Sequence, residues 1–278
     1  MRRDYLKIFS IASILIPFTI LAFFLISIVI DGIRYLSIDF IIGLPSGDPD
    51  ETGILPAIIG SIYVTGLATI ISFLMGVGIS LYITEFVSSK AVKDTIYFIV
   101  DMLAGVPSVI YGIVGLSVVG VYLNAGRSVL TGAVTLAFLI LPLVTVSSIE
   151  AIRSIPDSLR LSMYSLGASR LEVVKYIVIP LALPRALTGA VLAIARAIGE
   201  AAPILIISGV LFTRSIPISL LDEFTVLPLV IFNWVTRPQE IYLYLASSAI
   251  IVLLTIYAGI SSLAIYMRSA RTRRVVEI

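Results

Sequence analysis

Leu-Ala-Ile-Ala-Arg-Ala-Ile-Gly-Glu-Ala-Ala-Pro runs from Leu192 to Pro203 and places two charges inside an apolar segment of about residues 186–212. Ionisable groups at such a depth in a membrane are costly, and they usually mark a transport pathway, a relay or a counter-ion. The two residues, Arg196 and Glu200, are four positions apart, so a continuous helix places them one turn apart on the same face. This stretch predicts a functional ionic site within a membrane helix.

The composition is that of an all-α polytopic membrane protein. Hydrophobic residues make up 59% of the 278 residues and charged residues 13%, against about 25% charged in soluble domains. The chain has no Cys and no His, which excludes disulfides and removes the commonest acid–base group and metal ligand. A membrane enzyme is therefore a weak alternative. We expect membrane lipids around the chain and no nucleic-acid partner.

Six segments are long and apolar enough to span a bilayer, since about 20 helical residues cross a hydrocarbon core of about 30 Å. They lie at about residues 8–30, 56–84, 95–121, 129–148, 186–212 and 243–267. The first apolar run is longer than the about 7–15 residues of a signal-peptide core, so we expect it to be retained. The predicted units are a first helix with an external loop (1–55), a core of five helices (56–267) and a basic tail (268–278).

Lys and Arg residues concentrate on alternate connecting segments, and the positive-inside rule makes that side cytoplasmic. Of the 19 basic residues, fourteen fall on the side that holds both termini, so both termini are predicted to be cytoplasmic. The outer loop at 31–55 is predicted to be a solvated turn region. A second outer segment, 213–242, contains Ile-Phe-Asn-Trp-Val at 231–235. It fits either a loop with a Trp at the interface or a short re-entrant or interfacial helix that caps the external mouth.

The third span contains Asp101 and then Ala-Gly-Val-Pro-Ser-Val-Ile-Tyr-Gly from Ala104 to Gly112. Pro107 predicts a kink or break in the helix, and Ser108 is available to satisfy the backbone groups that this frees. The kink serves either helix packing or the lining of a pathway. Asp101 lies near the cytoplasmic boundary, where it either reaches the aqueous interface or pairs with a buried basic group.

The longest cytoplasmic segment, the cytoplasmic loop (149–185), is predicted to contain two short helices. Asp157 or Ser158 can cap the first helix, over about residues 159–166, and Gly167 suits its C′ position.

Ser169 and Glu172 form a capping-box pattern that opens the second helix, and Pro180 is predicted to end it. The first helix is unusually apolar for an aqueous segment, since it contains Leu159, Leu161, Met163, Tyr164 and Leu166. It therefore either lies on the lipid headgroups or docks in the groove of a partner protein.

The cytoplasmic loop resembles the EAA loop of ABC importer permeases, which reads Glu-Ala-Ala, three residues, Gly, nine residues and Ile-x-Leu-Pro. Alignment on Gly167 places Ile-Val-Ile-Pro (177–180) on the terminal pattern. The Glu-Ala-Ala positions fall on Leu161, Ser162 and Met163, so the acidic position of the pattern is missing here. The helix–Gly–helix arrangement is retained.

Two more segments are similar to segments of phosphate ABC transporter permeases. They are Gly-Val-Pro-Ser-Val-Ile-Tyr-Gly (105–112) and Ala-Arg-Ala-Ile-Gly-Glu-Ala-Ala-Pro (195–203). The Ala-Pro that follows Gly-Glu, together with Phe-Asn-Trp (232–234), resembles the A-type subunit of that family. The resemblance covers the chain from about residue 56 to its end.

This resemblance implies a type I ABC importer permease with six transmembrane helices in the cell membrane. The implied partners are a second phosphate permease subunit, a dimer of ATP-binding subunits and an external phosphate-binding protein. No Gly-x-x-x-x-Gly-Lys-Ser/Thr loop is present in the sequence. We therefore expect this chain to bind no cofactor or metal, with ATP and Mg²⁺ on the partner ATPase. The residues implied to contact the ATPase are Leu159, Leu161, Met163, Tyr164, Leu166, Gly167 and Ala168.

The implied role of Arg196 is to offer a planar donor fork to phosphate oxygens, while Glu200 holds the guanidinium when no anion is bound. Small residues at four-residue spacing beside this pair predict a close helix contact: Gly189, Ala193, Ala197 and Ala201. Pro203 cannot donate to the carbonyl of Gly199 and is predicted to loosen the helix beyond the pair.

Three alternatives stay open at this point. The Arg–Glu pair could serve only to lock two helices together. An arginine fork does not distinguish phosphate from sulfate, molybdate or phosphonate. A proton-coupled secondary transporter would use Glu200 as a relay, although its long cytoplasmic loop would then lack a purpose.

Overall fold

The computed structural model describes residues 2–209, 213 and 215–276, and the side chains of residues 11–209, 213, 215–262 and 266. The described part of the chain is helical, which confirms the all-α class. Five of its helices are long and apolar enough to cross a membrane, or six if one bent pair counts as a single span. Parts of four predicted segments lie outside the described residues: Met1 of the first unit, 210–212 of the fifth span, Arg214 of the second outer segment and 277–278 of the basic tail.

The first half of the chain supplies α1 (Arg2–Ile33), α2 (Ile38–Ile42), α3 (Leu55–Leu81), α4 (Lys90–Gly105), α5 (Ser108–Gly115) and α6 (Val129–Arg153). Turns of π-helix extend α3 over Tyr82–Phe86 and α5 over Leu116–Tyr122.

The second half supplies α7 (Asp157–Ser165), α8 (Arg170–Val173), α9 (Ile179–Ile198), α10 (Ala202–Ser208), α11 (Leu227–Val235) and α12 (Glu240–Val276). A π-helical turn over Val174–Val178 joins α8 to α9, so residues 170–198 form one continuous helical rod. The predicted fifth span at 186–212 is therefore wrong at both ends, because its helix begins sixteen residues earlier and breaks after Ile198.

Helix α6 is the centre of the molecule, and 72% of its most apolar window is buried. Small residues on its neighbours allow this close packing, as is usual where helices associate inside a membrane. A Cβ atom at Gly76 of α3 would lie 2.8 Å from Cγ1 of Val144. A Cβ atom at Gly189 of α9 would overlap the hydroxyl of Ser147. Both neighbouring helices therefore contact α6 almost backbone to backbone.

The predicted small-residue contact of the fifth span is present over most of its length. Gly189, Ala193 and Ala197 are all buried on one face of α9, and the two alanines belong to the central apolar core. Ala201, the last member of the predicted series, lies beyond the end of the helix. The face of α9 that carries the small residues is thus fixed against the rest of this chain.

The outer loop at 31–55 is more ordered than the predicted turn region, because it contains α2 and a short 3₁₀ turn. Phe40 of α2 is buried and lies against Trp234 of α11, with ring centroids 6.1 Å apart. Trp234 is only 1% exposed, so the interpretation of this residue as an interfacial Trp is wrong. The alternative of a short helix at this position is the one that the structure contains.

The segment before α11 caps the N-terminal end of α6. The backbone N–H of Val129 donates to the carbonyl of Asp222 at 3.0 Å, and that of Leu130 donates to Leu220 at 2.8 Å. The hydroxyl of Ser128, the N-cap residue, accepts from the N–H of Thr131. These bonds satisfy donors at the helix N-terminus that have no partner within the helix itself.

Helix α1 is attached to the molecule mainly at its C-terminal end, where it packs on α12. The hydroxyl of Ser248 donates to the carbonyl of Gly32 at 2.7 Å, and a Cβ atom at Gly32 would lie 2.7 Å from the backbone of Ser247. Residues 11–31 contain no buried side chain, so most of this apolar helix is left uncovered by its own chain.

We predict that Gly60→Ala lowers the stability of the protein. A Cβ atom at Gly60 of α3 would lie 2.1 Å from the carbonyl oxygen of Thr225, which is backbone and cannot rotate away. Such overpacking costs about 1–3 kcal/mol, which thermal unfolding of the detergent-purified protein will measure. Gly66→Ala on the same helix is the matched control, since a Cβ atom there meets nothing within 4 Å. Equal midpoints for the two variants would contradict the close approach.

Candidate functional site

Two interrupted helical segments form the candidate site. The first interruption separates α4 from α5, and the second separates α9 from α10. Irregular backbone at membrane depth is tolerated only where protein buries it or where it lines a cavity. The two interruptions are therefore the places where the backbone departs most from simple spanning helices.

The first interruption is a break rather than a gentle kink. Helix α4 ends at Gly105, Pro107 is the N-cap residue of α5, and the axes on either side of this break differ by 99°. The hydroxyl of Tyr111 donates to the carbonyl of Leu103 at 2.7 Å and so satisfies one of the freed backbone groups. The sequence analysis expected Ser108 to do this, whereas Tyr111, one turn further on, is the residue that does.

The second interruption lies between the two charges of the site. Helix α9 ends at Ile198 with Gly199 as its C-cap, and α10 begins at Ala202 with Pro203 in its first turn. The prediction of one continuous helix through Arg196 and Glu200 is therefore wrong. Pro203 has no N–H for the carbonyl four residues before it, so the helix ends before the proline rather than loosening after it.

The two interrupted segments contact each other directly. A Cβ atom at Gly112 of α5 would lie 2.7 Å from the carbonyl oxygen of Pro203 and 2.8 Å from its Cα atom. Gly112 and Pro203 belong to the two sequence segments that carry the resemblance to phosphate permeases. The structure thus places these two segments against each other, although about ninety residues separate them in the chain.

Arg196 lies in the last turn of α9, and Glu200 lies in the interruption that follows. Nε of Arg196 is 3.7 Å from Oε1 of Glu200. This separation is within ion-pair range but is too long for a hydrogen bond. The predicted pairing is present, but it leaves the guanidinium donors available to another acceptor.

Arg196 is held on a face of α9 that this chain does not cover. Its side chain is 47% exposed, whereas that of Glu200 is 20% exposed. Leu192 and Gly199, on the same side of the helix, are exposed as well, and the small-residue strip beside them packs against α6. Tyr111 lies near enough to Arg196 for the two side chains to interact electrostatically. The sequence analysis did not single out Tyr111, although it is part of the quoted motif.

The remaining predicted pathway residues lie around the first interruption. Asp101 is exposed on α4, and Ser108 is half-buried at the start of α5. Among the described residues, no hydrogen bond or ion pair joins either of them to Arg196 or Glu200. Of the predicted pathway residues, the structure therefore brings together Arg196, Glu200 and Pro203.

The cytoplasmic loop contains the predicted helix–Gly–helix arrangement. Helix α7 begins at Asp157, which is the first helical residue rather than the cap, since Pro156 is the N-cap residue. Gly167 has φ +86, a left-handed conformation that glycine adopts without strain. Ser169 and Glu172 form the predicted capping box, with both reciprocal hydrogen bonds present.

Pro180 does not end the second helix of this loop, contrary to the prediction. The π-helical turn over Val174–Val178 shifts the backbone hydrogen-bonding pattern, and Pro180 then falls in the first turn of α9. A proline is tolerated there because its missing N–H needs no partner within the helix. The cytoplasmic loop is consequently continuous with the helix that ends at Arg196.

The apolar residues of α7 divide into two groups. Leu159 is 40% exposed, Leu161 63%, Tyr164 41% and Leu166 84%. Met163 and Ala168 are half-buried and pack against the apolar core around Ile152 and Val178. The helix thus packs on the protein by one face, and its exposed apolar side chains flank an outward row of exposed serines: Ser158, Ser162 and Ser165.

Comparison with known proteins gives one family match and several relatives. Residues 75–275 match the family described as "Binding-protein-dependent transport system inner membrane component". The chain is 34% identical over 205 residues to the probable ABC transporter permease protein YqgH of Bacillus subtilis, covering 70% of this chain and 65% of that protein. It is 33% identical over 223 residues to the phosphate transport system permease protein PstA of Mycobacterium leprae, covering 80% and 72%.

The fold is similar to that of solved transporters. A chain from the crystal structure of a bacterial ABC transporter involved in the import of the acidic polysaccharide alginate superimposes with a TM-score of 0.70. That match covers 97% of this chain and 96% of the other at 19% identity, so it bears on the fold alone. The predicted ABC importer permease architecture is confirmed by this likeness and by the family match.

Proposed function

Since this chain belongs to the family of binding-protein-dependent transport system inner membrane components, we propose that it is the membrane subunit of an ATP-driven importer of inorganic phosphate. The family match carries the proposal, because it covers both interrupted segments and the cytoplasmic loop. The curated relatives are transport components, so the chain is a transport subunit rather than an enzyme. The phosphate permease of M. leprae supports the choice of cargo.

The chain is a multi-pass membrane protein. Both of its termini lie in the cytoplasm, because the basic residues concentrate on that side. This orientation places α7 and the start of the α8–α9 rod inside the cell, and the segment that carries Phe40, Trp234 and α11 outside. Arg196 then lies toward the outer end of the rod.

The working complex contains a second permease subunit, two copies of an ATPase and an external phosphate-binding protein. The uncovered face of α9 supports a partner permease, since a half-exposed arginine facing hydrocarbon would be costly. Together the two permeases enclose the pathway. ATP and Mg²⁺ bind the ATPase, and this chain itself binds no cofactor.

Arg196 binds the phosphate anion in the pathway. Its planar guanidinium presents parallel N–H donors that match two oxygens of a tetrahedral anion. Glu200 competes with the anion for the donors of Arg196 and so keeps anion binding weak enough for release. At 3.7 Å it forms no hydrogen bond with Arg196, so the arriving anion has none to break. The interruptions at Pro107 and Pro203 give the pathway its shape, while Asp101 and Ser108 lie nearer its cytoplasmic side.

Helix α7 docks in a groove of the ATPase. Its outward apolar face consists of Leu159, Leu161, Tyr164 and Leu166, and Gly167 and Ala168 form the turn beside it. Burial of such a face in a partner groove is a common mode of helix recognition. Met163 supports the helix from within rather than contacting the ATPase, which refines the role expected from sequence.

Reconstitution with the ATPase, the second permease and the binding protein tests the cargo. We expect ATP-dependent uptake of radiolabelled phosphate into proteoliposomes, with sulfate, molybdate and phosphonate neither transported nor inhibitory at equal concentration. Uptake of sulfate, molybdate or phosphonate instead of phosphate would assign a different oxyanion. Uptake that follows a proton gradient without ATP would indicate a secondary transporter.

Arg196→Gln should lower phosphate uptake by about 100-fold or more, since each hydrogen bond with a charged group contributes about 1.5–3 kcal/mol and the fork makes two. The complex should assemble normally, as judged by copurification of its subunits. Arg185→Gln, eleven residues earlier on the same rod, is the matched control and should transport like the wild type. Unchanged uptake by Arg196→Gln would remove this residue from the pathway.

Leu161→Asp and Leu166→Asp should each release the ATPase, because they place a charge in an apolar docking face. Copurification with the tagged ATPase measures this, and a loss of about 10-fold or more in retained ATPase is expected. Ser88→Asp, in the loop before α4, controls for the added charge, since Ser88 is exposed and lies outside α7. Full retention of the ATPase by both leucine variants would refute docking through α7.

A further inference from the structure

Two charged side chains with no role so far are buried where the cytoplasmic loop meets the spans. Glu85 lies in the π-helical turn that extends α3, and Arg160 lies one turn into α7. Nη2 of Arg160 is 3.1 Å from Oε1 of Glu85, and the two side chains are 14% and 8% exposed. This pair is the main polar contact that ties α7 to a transmembrane helix.

The guanidinium of Arg160 also joins three other parts of the same region. It donates to the carbonyl of Ile152 in the last turn of α6 at 3.1 Å and to the carbonyl of Ile155 at 2.8 Å. It donates to the carboxylate of Asp157 at 2.9 Å. One side chain thus connects the cytoplasmic ends of α3 and α6 with the first turn of α7. Only arginine has enough donors in a fixed plane to do so.

Stability alone is a weak explanation for this arrangement. Two buried ions lose their hydration, and a well-packed apolar pair of similar volume often stabilises a protein as well or better. What the multidentate contact adds is a fixed orientation of α7 relative to α3 and α6. Met163 adds apolar packing of α7 on the protein, which defines orientation far less strictly.

We propose that the Arg160–Glu85 pair is the joint that transmits movement of the ATPase from α7 into α3 and α6, and that it stays closed throughout the transport cycle. The inference rests on the proposed docking of the ATPase on α7. Both residues are positioning residues, since neither contacts the transported anion or the outward apolar face of α7. Loss of the pair leaves α7 attached to the ATPase but free to change its angle to the spans.

The test compares anion transported with ATP hydrolysed in the complete reconstituted complex. In Glu85→Gln and Arg160→Lys the ATPase should still copurify and hydrolyse ATP. The number of anions transported per ATP should fall by about 10-fold, which is a typical coupling factor between two sites. Asp157→Asn is the matched control. It removes a different partner of the same guanidinium, one that is 89% exposed and contributes little in solvent. Its transport ratio should equal that of the wild type.

An unchanged ratio in Glu85→Gln would overturn the proposal. Should Glu85→Gln fail to assemble, Glu85→Asp decides, because it keeps the carboxylate but shortens the side chain that reaches Arg160. An assembled complex with a lowered transport ratio supports the joint, and an assembled complex with an unchanged ratio overturns it.

The outcome is separable from that of the proposed function. The ratio is measured with whichever oxyanion the wild-type complex transports, so a wrong cargo leaves the test intact. A wrong docking surface is detected independently, by retention of the ATPase in Leu161→Asp and Leu166→Asp.

Discussion

The close packing of neighbouring helices on α6 is the constraint on which the rest of the structure depends. Inside a bilayer, apolar side chains gain little by leaving lipid for protein, so helices associate where small residues let their backbones approach. Gly76 and Gly189 provide these approaches on α3 and α9. Once the small-residue strip of α9 is committed to α6, the adjacent strip that carries Arg196 is left at the edge of that contact. The position of Arg196 on an uncovered surface is thus a consequence of packing and not a separate feature.

A second constraint is that freed backbone groups need partners. The break before Pro107 is accommodated by the hydroxyl of Tyr111, and the break before Pro203 lies against Gly112. Each interruption is stabilised by a residue from its own or the facing segment, so the two form a single structural unit. The charges of the site occur where the fold departs most from continuous helices. A membrane protein tolerates such departures where they line a pathway.

Sequence predicted the local features of the fold well and its long-range features poorly. Gly167 and the Ser169–Glu172 capping box were predictable because their signals lie within one turn of the structures that they specify. Pro180 and Pro203 both follow an apolar helical pattern, but the helix continues through the first proline and is broken before the second. The first lies in a continuous rod because a π-helical turn precedes it, and the second follows a break that packs on α5. Neither the π-helical turn nor the packing has a local signal.

The same limit applies to two buried contacts. From composition alone, Trp234 could have been placed at the membrane interface. In the structure it packs against Phe40, which is almost two hundred residues away in the chain. Glu85 and Arg160 are 75 residues apart, so their pairing could not be inferred without the fold. For the site itself, sequence identified Arg196 and Glu200 as partners, but not the break between them.

The continuous helix over residues 170–198 has the geometry of a lever with unequal arms. Its 29 residues measure about 43 Å at 1.5 Å each. The contact of Gly189 with α6 is the natural fulcrum, about 28 Å from Arg170 and about 10 Å from Arg196 by the same rise. When the rod turns about this point, a displacement of its Arg170 end is about three times the displacement of Arg196 at the other end. A 3 Å movement, for example, becomes about 1 Å, which is more than the usual spread of hydrogen-bond lengths. Such a rotation would change the position of the Arg196 guanidinium relative to α6.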